Sequence, residues 1–341
     1  MKINMKLISS LFNEFLTLRK RKNCSMYTNF CVGFIACSIF VINIAGCTPQ
    51  ENKKQEEAKA PVAAAPKNFE RAVPPVIMAN PQERVEYVLT HFWDKFNFRD
   101  TMYCHAPDIT DQAFAEFIYL FPYVSYDKMS KEVKRMLDSA TVDVVMYNYF
   151  YRLGEHYLYN PNSRTRNDEH FIPFLEHLVS SPKVIESAKI RPQYQLDLAY
   201  RNRPGVKASD LTYTLNSGAM GNLYGISARN ILLMFYNPDC KECKEVMELL
   251  INSPSISAAV SSGRLKILAV YPDEDIEVWK RYQKNIPPTW INGCDKALAV
   301  RNKEIYDLRA IPTLYLLDKD KKVIFRDTSV SHIQMYIDSN P

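Results

Sequence analysis

The stretch that decides the reading is "FYNPDCKECKEVMELL", Phe235–Leu250. Cys240 and Cys243 stand two residues apart, where the apolar run "NILLMFYN" gives way to helical periodicity. Such a pair holds a metal, staples a loop or exchanges electrons with other thiols. A structural zinc site takes four ligands, usually two such pairs. Here no second CxxC or HxxxH follows, Cys104 and Cys294 are isolated, and His156, His170 and His177 lack ligand spacing, so no metal and no cofactor is expected. A staple across so short a loop removes little chain entropy and stabilises little. Placement favours exchange. The run before the pair reads as a strand buried on both faces, and the pair opens a helix that Asp239 or Asn237 is expected to cap. Cys240 then sits at the positive end of the helix dipole, where thiolate, the nucleophilic form, is favoured over thiol. Lys241 and Lys244 add to that field, while Glu242 and Glu245 oppose it. Cys243, one turn further in, is expected to be more buried and to resolve a mixed disulfide formed on Cys240.

Working outward, "DLTYTL" and "LYGI" flank "NSGAMGN" as a hairpin, "RLKILAVY" is a second buried strand and "DIEVWKRYQKN" a helix. "TLYLL" and "KVIFR" flank "DKDK" as a second hairpin, and "SHIQMYID" closes the chain as a short helix. Strand–helix–strand–helix, then an antiparallel pair and a final helix, is an α/β order with a mixed sheet. Pro312, in "LRAIPTLYLL", precedes a strand and is a candidate cis bond, which would leave the Ile311 backbone free to pair with an extended substrate chain. An ordinary trans proline at a strand start fits the same residues. In "PPTWINGCDKA", Trp290 either faces a substrate or plugs the domain edge, and Cys294 is either a free thiol or a partner for Cys104.

Upstream, from Pro81 to about Arg203, only helical periodicity is found, in about five segments that read as a compact all-α domain. Its aromatic cluster, including Tyr147, Phe150 and Tyr159, reads as core. Residues 47–78 form a polar, proline-spaced tether with almost no large apolar residue before Phe69. Residues 1–46 read as an export signal: the basic cluster Arg19–Lys22, then an uncharged apolar run ending in Ile44, Ala45, Gly46 and Cys47. The ending resembles a bacterial lipobox, in which the cysteine is lipidated, so Cys47 is the expected lipid attachment site. An uncleaved membrane anchor is the alternative, and both place the body of the chain outside the cytoplasm. Removing residues 1–46 takes six of the 43 basic and one of the 38 acidic residues and leaves 37 of each, so no nucleic-acid partner is implied. The organisation is therefore signal 1–46, tether 47–78, helical domain 79–205 and α/β domain 206–341.

The region from Lys207 to Pro341 resembles the thioredoxin-like proteins of the TlpA/ResA type. "KASDLTYTL" is similar to their N-terminal hairpin, "ILLMFYNPDCKEC" to their first core strand and redox motif, and "IPTLYLLDKDKKVI" to their cis-proline hairpin. The resemblance implies a thioredoxin-like fold with Cys240 attacking, Cys243 resolving through a redox disulfide between them, and Ile311–Pro312 meeting the substrate. It also implies a periplasm-facing, membrane-tethered thiol–disulfide oxidoreductase that reduces disulfides of exported proteins, with electrons from a membrane thiol donor. "YLYNPNSRTRND" and "IRPQYQL" are similar to a helical domain of unknown function that precedes such domains. The chain departs from the family at two places where a proton acceptor is usual: Val246 and Met234 stand there, leaving Glu245 or the run Asp273, Glu274 and Asp275 as substitutes. The competing class is a binding lipoprotein whose cysteine pair is structural or vestigial. A peroxidase lacks the threonine it needs before Cys240.

Overall fold

The structure is a computed structural model in which residues 68–341 are described. The signal, Cys47 and the tether up to residue 67 lie outside the described residues. The chain divides into two compact units, one ending at Val124 and one spanning Ser125–Pro341. The change from helical to strand periodicity near residue 205 thus falls inside the second unit, not between units.

In the first unit the end of the segment expected to be tether is anchored at Phe69 and Arg71. The Phe69 ring stacks on Trp93 at 5.7 Å and meets Phe96 edge-on at 5.1 Å, while Arg71 pairs with Glu116 at 2.9 Å. Helix α1 (Pro81–His91) starts with proline in its first turn, and the Asn80 side chain accepts the Gln82 N–H at 2.9 Å. Val85 and Leu89 face inward, and α2 (Pro107–Tyr119) supplies Phe114 and Phe117. Phe92 and Trp93 lie 5.3 and 5.6 Å from the Phe117 ring, so aromatic edges and faces build this core.

The second unit opens with α3 (Tyr126–Ala140), α4 (Val144–Gly154), α5 (Asp168–Ser180) and α6 (Glu186–Tyr200). The helical periodicity that runs through the first two is broken at "TVD". The Thr141 hydroxyl donates to the Asp138 carbonyl at 2.6 Å, and the Asp143 carboxylate accepts the N–H groups of Val145 and Met146 at 2.7 and 3.2 Å. Local capping thus overrides the apolar period. Tyr147 and Phe150 are buried, as core aromatics should be.

The sheet comprises β1 (Thr212–Leu215), β2 (Met220–Asn222), β3 (Asn230–Phe235), β4 (Leu265–Tyr271), β5 (Ile291–Cys294), β6 (Thr313–Asp318) and β7 (Val323–Arg326), in the spatial order β2-β1-β5-β4-β3-β6-β7. β3 pairs parallel with β4 and antiparallel with β6, and every residue of it is buried. Leu232 and Met234 face one core with residues of α7 (Lys241–Asn252), α8 (Pro254–Ser261) and α11 (Val330–Ser339); Ile231, Leu233 and Phe235 face the other, beneath Tyr306 and Tyr315. α9 (Ile276–Tyr282) and α10 (Ala299–Asn302) lie in the connections around β5. This mixed sheet between helical layers is a thioredoxin-like fold, reached from mostly helical N-terminal sequence.

Two local expectations are corrected. The first hairpin returns through Met220–Asn222 rather than "LYGI", whose Leu223 and Ile226 drop into the core. "WINGC" is a strand inside the sheet: β5 pairs antiparallel with β1 and parallel with β4. Asn-Gly usually marks a turn, but here Gly293 makes room for the Tyr213 side chain, which a Cβ would meet at 2.8 Å. Trp290 is buried in the core rather than facing a substrate, and Cys294 is a buried free thiol whose titration is pushed up by burial and by Asp295.

Candidate redox site

The site forms where two buried strands end side by side. β3 register pairs Phe235 with Thr313 of β6, so the loop after β3 and the segment before β6 emerge together. Cys240 lies on the first and Ile311–Pro312 on the second, although 71 residues separate Cys240 from Ile311. The Ile311–Pro312 peptide is cis. The Ile311 carbonyl faces the Cys240 sulfur at 3.5 Å.

The cap differs from expectation. Cys240 is itself the N-cap of α7, with extended backbone, and its Sγ accepts the Cys243 N–H at 3.1 Å. Asn237 organises the loop instead. Its Oδ1 accepts the Asp239 N–H at 2.9 Å, its carbonyl accepts the Cys240 N–H at 3.1 Å, and its Nδ2 donates to Asp273 at 2.8 Å. The outer sulfur therefore occupies the place where a helix start receives an anion. Cys240 is half-buried and Cys243 fully buried. Burial, then the hydrogen bond with Cys240, pushes the Cys243 thiol well above its ordinary range. The two sulfurs are thus inequivalent in access, and the inner one ionises only reluctantly.

The substitute acids are engaged elsewhere. Glu245 is exposed and reaches Lys241 at 3.4 Å. Asp273 is held by Asn237 and by Arg301 at 2.8 Å, and Arg301 also reaches Glu274 at 3.5 Å. Asp275 caps α9 through the Glu277 and Val278 N–H groups, both at 3.1 Å. The carboxylate that approaches a sulfur is Glu242, whose Oε2 lies 3.8 Å from Cys240 Sγ. On the inner side of the sulfurs, Tyr236 donates to Asn292 at 2.8 Å, and Asn292 donates to Gln283 at 3.1 Å.

A further group, without a local signature in the sequence, surrounds the segment before Pro312. Arg309 pairs with Asp168 of α5 at 2.5 Å and with Asp307 at 2.9 Å, donates to the Tyr159 carbonyl at 3.1 Å and stacks over the Tyr159 ring at 4.0 Å. Arg326 of β7 pairs with Asp168 at 2.8 Å and donates to the carbonyls of Ala199 and Arg201 at 2.7 and 2.8 Å, closing the end of α6. Burial alone would raise the Asp168 carboxyl; Arg326 and Arg309 reverse that and hold it below the usual range. Asp307, buried and beside Asp168, is pushed up. Two arginines of the sheet domain are thereby sunk into the helical segment, one of them three positions before Pro312. Among the described residues no cluster of three His, Cys, Asp or Glu side chains is placed to hold a metal ion, and no helix is long and apolar enough to cross a membrane.

A buried-strand mixed sheet, a cysteine pair opening the helix after β3 and a cis-proline beside the outer sulfur together define a protein with a thioredoxin-like fold. The chain belongs to the thioredoxin-like family: it is 40% identical to a thioredoxin-like protein from Bacteroides caccae, covering 81% of this chain and 99% of that one, with a TM-score of 0.79. The sequence pattern of a thioredoxin-like family matches residues 229–323, and that of a domain of unknown function (DUF5106) matches residues 46–202. The C-terminal domain of an uncharacterized protein from Bacteroides fragilis is 45% identical over 40% of this chain and 98% of that one, with a TM-score of 0.40. The thioredoxin domain of a thiol-disulfide oxidoreductase from Bacteroides vulgatus is 19% identical over 40% of this chain and 96% of that one, with a TM-score of 0.36. No curated protein matches.

Proposed function

We propose that this protein reduces disulfides of exported proteins while held at a membrane by a lipid on Cys47, its body facing the periplasm. The observation that carries the chemistry is the position of Cys240 Sγ, 3.1 Å from the Cys243 N–H and 3.5 Å from the Ile311 carbonyl. Cys240 thiolate attacks one sulfur of a substrate disulfide; a mixed disulfide forms and the other substrate sulfur leaves as thiolate, to be protonated. Cys243 then loses its proton and attacks Cys240 Sγ, forming the Cys240–Cys243 disulfide and releasing the second substrate thiol. The substrate gains two electrons and two protons, and a membrane dithiol donor returns them to the pair. Burial of Cys243 suits the second step, because an inner thiol that ionises only reluctantly does not compete for incoming substrate. The export-type N-terminus supports the location.

The test is a Cys243→Ser variant expressed in its native cell envelope. It should accumulate mixed disulfides with exported proteins through Cys240, and the unaltered protein should reduce insulin in a Cys240-dependent way. Absence of both would reduce the pair to a structural feature of a binding lipoprotein.

A further inference from the structure

A cavity of about 310 Å³ borders the segment before Pro312. Ile311, whose carbonyl faces Cys240, forms part of its wall. The helical segment contributes Tyr159, Tyr194 and Leu198 to its lining, and the segment before Pro312 contributes Tyr306 and Leu308. The charged groups around it are committed to one another. Arg309 is held by Asp168 and Asp307, Arg301 by Asp273, and Glu304 accepts the Tyr194 hydroxyl. What remains on offer is aromatic and aliphatic surface. The volume stands at the lower end of ligand pockets, which run from about 300 to about 1,000 Å³, so it suits one side chain rather than a cofactor.

We infer that this cavity binds an aromatic or large aliphatic side chain adjacent to the reacting cysteine of the substrate polypeptide. The inference rests on the oxidoreductase reading, since continuity through Ile311 joins the cavity to the exchange site. A chain lying along Ile311 with its cysteine at Cys240 places its neighbouring residue about 3.3 Å along the backbone, next to a residue that lines the cavity. The helical segment then has a role in choosing substrates, since Tyr159, Tyr194 and Leu198 complete a cavity otherwise lined by the sheet domain.

The experiment uses the full chain and cysteine peptides activated as mixed disulfides with thionitrobenzoate, with Phe, Ala or Asp beside the cysteine. Phe should lower KM about tenfold relative to Ala, with kcat little changed. Tyr194→Ala, at a half-exposed position, should abolish that preference, raising the KM of the Phe peptide to that of the Ala peptide. A Phe preference below twofold, or one that survives in Tyr194→Ala, overturns the inference. Anisotropy of the same peptides with Ser for Cys separates the two readings. Phe-dependent binding that is lost in Tyr194→Ala, without any exchange, sinks the oxidoreductase reading and leaves the cavity a binding site. Exchange without Phe dependence sinks the cavity alone.

Discussion

The cysteine loop and the Asp168 patch both bear on the segment around Pro312, yet they are built on opposite principles. The loop after β3 is local: Asn237, Asp239, Cys240 and Cys243 bond to one another within seven residues, and Cys240 is open enough to react. The Asp168 patch is non-local, since Asp168 meets Arg309 across 141 positions, and its buried carboxylate is ion-paired with both Arg309 and Arg326. A reactive group has to be left partly unsatisfied, whereas a fixing group has to be fully satisfied. Chemistry and positioning are therefore assigned to different stretches of chain, and substitutions in the two should fail in different ways.

Asp168→Asn should produce the largest effect on stability. Removing one partner of a buried ion network leaves Arg309 and Arg326 sharing Asp307 alone, and such losses cost about 3–5 kcal/mol. Thermal unfolding should shift accordingly, while a small disulfide is still reduced through Cys240. Cys240→Ser should do the reverse, abolishing exchange at an almost unchanged melting temperature. Equal melting temperatures for Asp168→Asn and the unaltered protein would break the contrast between the two regions.

How much of this was readable beforehand follows the same division. The strand "NILLMF", the cysteine pair and the helix after it are contiguous, so the fold and the candidate redox pair could be read from a short window. Pro312 was legible because proline before a strand is a local signal. Asp168, Arg309 and Arg326 were not, because nothing in "NDEHF" or "DLRAIP" reveals a partner more than a hundred residues away. β5 was missed for a related reason: Asn292-Gly293 carries turn chemistry, and only the Tyr213 ring from another strand explains the glycine. The cap was misassigned between neighbours. Asp239 and Asn237 are the stronger capping residues by type, but Asn237 is spent on organising the loop, which leaves the sulfur in the cap position.

A pH experiment sharpens the comparison on the fixing side. Burial pushes His170 of α5 down to about 4 from an ordinary value of 6.5. Between those values the unfolded chain binds a proton at this position that the folded chain refuses, so stability rises with pH through the window and is lost as pH falls from 6.5 toward 4. The contribution amounts to at most about 3 kcal/mol. Urea unfolding of the unaltered protein and of His170→Asn should diverge across that window and run parallel above it. Parallel behaviour throughout would place His170 among ordinary surface histidines.

The smallest effect belongs to the reactive side, at Glu242. Its carboxylate lies 3.8 Å from the sulfur that must become negative before it attacks, yet the side chain is exposed, so solvent screens most of the repulsion. Glu242→Gln should raise the rate at which Cys240 is alkylated by a neutral reagent by about two- to fivefold at low salt, with the gain shrinking as salt is added. Melting temperature should not move. A slower rate would mean that the carboxylate removes the thiol proton instead of opposing the charge, and Glu242 would then take the place that Val246 and Met234 leave vacant. The sign of one rate change therefore decides whether this loop restrains its own nucleophile or activates it.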